Sequence, residues 1–207
     1  MINYLCAALI LIDIHIIMED KYILLRKHIE KVVHLSDEEF ASVSKYFIYE
    51  RFKKNEIIIS EGEKVVNVFF VLSGLLRLFY TDEDNKQHII SFAMEDWWET
   101  DFQAFYTTGF ATLTLESLEE TDVLSLSLDN FEKLCNDLQK MERFFLRKSI
   151  AGHIGSEKRI LSFLTLGARE RYEYLLMQHP SLLQRLPKSL LASYLGVSRE
   201  TLSRLFS

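Results

Sequence analysis

At 207 residues, 48% of them apolar and 13% aromatic, the chain can build one large core or two small ones. Two prolines and seven glycines exclude a long disordered linker, and two cysteines, Cys6 and Cys135, exclude a disulfide framework, a cysteine-based metal motif and a four-cysteine iron–sulfur centre. The net charge of -6 is uneven: residues 139–207 hold 12 Lys+Arg against 5 Asp+Glu, a balance of +7, and residues 1–138 hold 12 against 25, a balance of -13. A basic C-terminal third on an acidic body fits a nucleic-acid module joined to one of another kind. So few cysteines make a reducing cytoplasm the expected location.

Residues 1–17 are nearly continuous apolar, broken by Asn3, Asp13 and His15. The stretch is too short and interrupted for a membrane span, and it lacks the basic start and cleavage site of a signal peptide. Met18 is the expected natural start, with 1–17 as an extension; the alternative is a buried or partner-binding segment. No membrane partner is expected.

Asp20 to Lys31 reads as a helix. Ser36 with Glu39 three residues later forms a capping box for a second helix that runs to about Tyr46. The period then changes. Ile57 to Ile59, Val68 to Leu72, Leu75 to Tyr80, Gln87 to Ala93, Thr112 to Leu118 and Asp122 to Leu128 are short runs separated by turn signals. They predict a β-roll, sandwich or barrel over about Phe47 to Leu128. Asp129 is the expected cap of a short helix to Leu134. A long helix follows over 140–166, with Phe144, Phe145, Ile150, Ile154 and Leu161 as a candidate dimer face. Ala168 to Met177 is a further helix, ended by His179-Pro180, and a short helical piece spans Ser181 to Leu186.

Lys188 to Ser207 has the pattern of a helix-turn-helix. Leu191 and Leu195 share a face of one helix, Gly196 supplies the turn, and Ser198 caps a second helix whose Leu202 and Leu205 point back at the first. Arg199, Glu200, Ser203 and Arg204 remain outward, types suited to base edges and phosphates. The division expected is 1–17 extension, 18–139 β-roll with flanking helices, 140–166 linking helix and 167–207 DNA-binding module.

Three segments carry a resemblance: Ile59-Ser60-Glu61-Gly62-Glu63, Phe70-Val71-Leu72-Ser73-Gly74-Leu75-Leu76-Arg77, and above all Val197-Ser198-Arg199-Glu200-Thr201-Leu202-Ser203-Arg204. With the order β-block, long helix, helix-turn-helix, they make about 35–207 resemble the cyclic-AMP receptor protein/Fnr family of bacterial transcription regulators. Ala192 to Ser198 and Glu170 to Tyr172 are similar to a branch found in Bacteroidetes-type bacteria. The resemblance implies an α+β chain: a jelly-roll of the cyclic-nucleotide-binding kind, then a winged-helix-like helix-turn-helix. It implies a homodimer on double-stranded DNA, with RNA polymerase as a further partner. Arg199 would read guanine, Glu200 would accept from a cytosine amino group, Ser203 and Arg204 would face the groove, and Lys188, Ser189 and Ser198 would touch phosphate. It also implies residues beyond Ser207.

Where nucleotide-binding members carry Gly-Glu, this chain has Thr100-Asp101. Where they carry Arg-Ser/Thr-Ala, it has Gly109-Phe110-Ala111, and no arginine lies between Arg77 and Arg143. A buried phosphate without a cation is costly. No cyclic-AMP or cyclic-GMP binding is therefore expected, and no other cofactor or metal. Trp97, Trp98, Asp101, Phe102 and Phe110, with Phe105 and Tyr106, are the candidate lining of an apolar effector site; the alternative is ordinary core. No nucleophile–base pair or phosphate loop is present, so the expectation is a regulator and not an enzyme. The competing reading is a ligand-sensing β-roll that acts through protein contacts.

Overall fold

The computed structural model describes residues 21–205. The readings for 1–17, Met18 and the last two residues lie outside them. A helix over residues 21–30 (α1) and Asp37–Ser44 (α2) precede the strands. The Ser36 hydroxyl accepts from Glu39 N, and the Glu39 carboxylate accepts from Ser36 N, so the predicted capping box is formed.

Eight strands follow: β1 Ile48–Phe52, β2 Ile57–Ile59, β3 Asn67–Ser73, β4 Leu76–Thr81, β5 Gln87–Ala93, β6 Trp98–Glu99, β7 Thr114–Ser117 and β8 Thr121–Ser127. They form two antiparallel four-stranded sheets, ordered β1-β8-β3-β6 and β2-β7-β4-β5, which is the jelly-roll arrangement. A short helix, α3 (Phe102–Tyr106), lies between β6 and β7. The main core fills the roll and continues under α1, where Leu25 and Ile29 are fully buried with Phe70, Leu115, Leu124 and Leu126.

The β4–β5 pair has a second apolar side. Its register shifts between Leu78, opposite Ser91, and Phe79, opposite Ile89, leaving Ile90 as the extra residue. A bulge of this kind re-aims the side chains that follow. Leu76, Leu78 and Ala93 stay in the main core, while Leu75, Phe79, Ile89 and Phe92 join a separate cluster.

That cluster is completed by the C-terminal helices. α4 (Leu128–Asp137) leads into the 27-residue α5 (Gln139–Thr165), then α6 (Ala168–Gln178), α7 (Pro180–Arg185), α8 (Lys188–Tyr194) and α9 (Arg199–Leu205). Leu175, Leu182, Leu186, Leu191, Leu195 and Leu202 pack against the outer side of β4 and β5. Every regular element from 139 to 205 is helical, so the wing that the resemblance implied is not among the described residues. The cap of α4 also differs from expectation. Ser127, not Asp129, holds the Asn130 N–H, because the helix starts two residues earlier. None of the described helices is long and apolar enough to cross a membrane.

Candidate nucleic-acid interface and effector cassette

α8, Gly196 and α9 form the predicted helix-turn-helix. Leu191, Ala192, Leu195 and Leu202 are buried on its inner side. Gly196 has φ of +68°, and a Cβ there would lie 2.8 Å from the Phe163 ring, so both the turn and the close approach need glycine. The Ser198 hydroxyl accepts from Thr201 N and caps α9. Arg199, Glu200, Ser203 and Arg204 are all exposed. Lys188 and Ser189, at the start of α8, are exposed as well. The Glu200 carboxyl is held below its ordinary range by its own backbone N–H and then by the Ser198 hydroxyl, so it stays an acceptor. The arrangement presents one helix that offers two guanidinium groups, a carboxylate and a hydroxyl to a groove.

Three arginines position this unit. Arg159 on α5 donates from one Nη to both the Ile89 carbonyl on β5 and the Tyr194 carbonyl on α8, at 3.2 and 3.1 Å. It also stacks over the Tyr194 and Phe163 rings. Arg171 donates to the Leu195 carbonyl, where α8 leaves unpaired acceptors, and to Leu166. Arg185 reaches Glu95 and Glu119 on the roll. Apart from the Arg171–Leu166 bond, these hydrogen bonds join residues at least 24 apart, so no pattern within a single element could have revealed them.

The cassette between β6 and β7 is a closed hydrogen-bonded unit. Asp101 is 2% exposed. One carboxylate oxygen caps α3 at Ala104 N, and the other accepts from Thr112 N, Leu113 N and the Thr112 hydroxyl. The Thr100 hydroxyl donates to Asn67 O. Next to it Glu99 is buried, bonded to the Ser91 hydroxyl and Thr100 N; burial pushes its carboxyl up to about 7.

The aromatic residues expected to line one effector site are dispersed. Trp98 is a core residue, packed on Phe47, Phe70 and Phe145, and its indole N–H donates to His28 Nε2. Phe105 is buried against Phe131. Trp97 packs against the edge of the main core and meets the His179 ring edge-on at the helical module. Phe102, Tyr106 and Phe110 are exposed. The reason is competition: the core of the roll takes the large rings that can reach it. A cavity of about 80 Å³ lies beside the cassette, lined by Ile58, Ile59, Lys64, Val65, Asn67 and Phe69. That is small beside the roughly 300–1,000 Å³ of ordinary ligand sites, and it is lined by none of the expected residues.

The candidate dimer face also divides. Phe144 and Phe145 are buried in the chain's own core, which removes them from any seam with a second chain. Ile150, Ile154 and Leu161 are exposed. No group of three or more metal-binding side chains occurs among the described residues.

Residues 49–137 match the cyclic nucleotide-binding domain. The chain is 23% identical over 168 residues to the nitrogen fixation regulation protein FixK of Bradyrhizobium diazoefficiens, covering 75% of this chain and 69% of that protein. It is 26% identical over 167 residues to the transcriptional activator protein FnrA of Stutzerimonas stutzeri, covering 75% and 67%. Among solved structures it shares the fold of FixK2 from Bradyrhizobium japonicum, with a TM-score of 0.68 at 19% identity over 77% of this chain and 82% of that one. The Thermus thermophilus catabolite activator protein gives 0.53 at 24% identity, over 83% and 82%.

Proposed function

We propose that the chain is a transcription regulator of the cyclic-AMP receptor protein/Fnr type, as its cyclic nucleotide-binding domain and its likeness to FixK and FnrA support, that it binds a specific DNA sequence as a homodimer, and that it does not take its signal from a cyclic nucleotide. The observation that carries the DNA reading is the exposed row Arg199, Glu200, Ser203 and Arg204 on α9, backed by the buried Leu202. The row sits in the third of the chain whose charge balance is +7, against -13 for the remainder. Arg199 reads guanine, Glu200 accepts from cytosine, Arg204 reads a base or a phosphate, and Lys188, Ser189 and Ser198 hold the backbone. RNA polymerase is the partner through which such a regulator would act.

Asp101 supports the second half of the reading. A cyclic phosphate needs a cation or several free backbone donors. The cassette offers no arginine, and three of its donors are already taken by the Asp101 carboxylate. The protein's own anion stands where a ligand's would.

Selection of bound sequences from a random pool at low salt tests the DNA reading. A palindromic site is expected, and Arg199→Ala should cost about 1–3 kcal/mol on it and less on random DNA. Recovery of no preferred sequence would overturn the proposal and favour a module that works through protein contacts. Titration of cyclic AMP followed by Trp97 and Trp98 fluorescence tests the other half. No saturable response is expected at micromolar concentrations; one that saturates there would reverse it.

A further inference from the structure

Two kinds of contact seat the helix-turn-helix on the roll, and they differ in what they can fix. Leu175, Leu182, Leu191 and Leu195 share one buried cluster with Phe79, Ile89 and Phe92 of β4 and β5. Such burial is non-directional, so it holds the module on the roll without selecting one angle. An angle needs directed bonds.

Arg159 supplies them. β5 is an edge strand, and its bulge falls at Ile90. Beside the bulge, the Ile89 carbonyl accepts from Arg159 Nη2 at 3.2 Å. The Tyr194 carbonyl belongs to the last turn of α8, where carbonyls lack helical partners, and it accepts from the same nitrogen at 3.1 Å. Both acceptors are main-chain atoms, so these bonds tie the strand to the helix and not to a flexible side chain. The guanidinium lies over the Tyr194 and Phe163 rings, 4.2 and 5.0 Å from their centroids. Its Nε is buried without an acceptor among the described residues, a cost that its other contacts must outweigh. The remaining directed bonds between module and roll end on looser groups. Arg185 bridges two carboxylates that are about two-fifths exposed, and Ser193 donates to Gln87 O through one rotating hydroxyl.

We propose that Arg159 is the positioning residue that sets which spacing of DNA half-sites the protein accepts. The inference rests on the reading of the chain as a homodimer on a palindromic site. Each recognition helix then reads one half-site, and the two must enter the groove about one helical turn apart. One added base pair moves a half-site by about 3.4 Å along the DNA axis and turns it by about 35°. A module free to swivel on its apolar seat can follow that change. A module whose α8 is bonded through Arg159 to β5 cannot. Neither Arg159 hydrogen bond reaches α9, so the sequence read within a half-site belongs to α9 and the spacing to Arg159.

The full chain is tested on the site that selection with the native protein returns, and on the same site with one base pair added to or removed from its spacer. The native protein should prefer its own spacing by at least about tenfold. Arg159→Lys keeps the charge but not the planar fork, and it should bind the three duplexes within about threefold of one another. The half-site sequence it selects should be unchanged. On a duplex with a single half-site the variant should match the native chain within about twofold, which shows an intact helix-turn-helix. If the variant keeps the tenfold preference, Arg159 does not set the spacing. If it loses single half-site binding in the same measure as binding to the whole site, Arg159 only holds the helix-turn-helix together, and the proposal is again overturned. A native protein that prefers no spacing would overturn the homodimer reading itself, and the role of Arg159 with it.

Discussion

Trp98 Nε1 donates to His28 Nε2 at 3.0 Å, and this bond decides which nitrogen of His28 carries the proton. An indole can only donate, so Nε2 must be bare and Nδ1 must hold the hydrogen, which it gives to Asp96 Oδ1 at 2.6 Å. The ring is 2% exposed and lies against Phe70 and Phe144. Burial is the main reason its affinity for a second proton falls to about 4, followed by the nearby Lys148, with Asp96 opposing.

A folded-state value below the unfolded one makes stability depend on high pH. His28 contributes fully above about pH 6.5, and the contribution drains away as the pH falls towards 4. The difference corresponds to about 3 kcal/mol over the whole range. Urea denaturation between pH 7 and pH 4 should show this acid limb. His28→Gln can accept from Trp98 and donate to Asp96, so it should flatten the limb. An unchanged slope in that variant would show that another group is responsible.

Glu99 works in the opposite direction. Its carboxyl is raised to about 7 by burial, against the Ser91 and Thr100 hydrogen bonds that lower it. The neutral form is favoured on folding, so its contribution is complete below about pH 4.5 and is lost as the pH rises through 7. The magnitude is again about 3 kcal/mol. Between pH 4.5 and 6.5 the two groups nearly cancel, and the native protein should show a flat profile there. Glu99→Gln keeps both hydrogen bonds without the charge. It should be more stable than the native protein at pH 8 and should unmask the His28 slope in the acid range. No gain in melting temperature at pH 8 would contradict this.

Much of the fold could be read from local pattern. The Ser36–Glu39 box, the strand runs from Ile57 to Ser127 and the Leu191-to-Leu202 spacing each depend on residues within one element or one turn. What could not be read depends on which distant side chain wins a shared space. Phe144 and Phe145 obey the same helical spacing as Ile150, yet the first pair reaches the roll and the second residue does not. Trp97 and Trp98 are neighbours in sequence and both pack on the main core, but Trp98 meets Phe70 while Trp97 also reaches His179 on the helical module. The bulge at Ile90 was also hidden, and without it Ile89 would share the face of Ala93 and point into the main core instead of the outer cluster that seats the helical module.

Gly196 is the position where a single methyl group should do most harm to the DNA-binding unit. Gly196→Ala would force a left-handed residue with a Cβ and press it against the Phe163 ring, which Arg159 and Arg171 hold in place by stacking. A cost of about 1–3 kcal/mol is expected from backbone and contact together. Melting of the helical module and loss of site-specific DNA binding should go together, with the fluorescence of the partly buried Trp98 unaffected. Full DNA binding by the variant would mean that the turn is not rigid in solution.

The module's seat on the roll is held by two kinds of contact, and their magnitudes rank them. Arg185 bridges Glu95 and Glu119 at 2.7 and 2.6 Å, but the Glu95 and Glu119 side chains are about two-fifths exposed. Such pairs contribute about 0–1 kcal/mol each and weaken with salt. Phe92 is 3% exposed, and its ring meets that of Tyr194 at 5.1 Å between centroids. Truncating a buried phenylalanine costs about 3–5 kcal/mol. Phe92→Ala should therefore release the helix-turn-helix, seen as faster amide exchange at Leu191, Leu195 and Leu202, while Arg185→Ala should change exchange there only slightly and only at low salt. The reverse ranking would mean that charge, not apolar burial, holds the two units together.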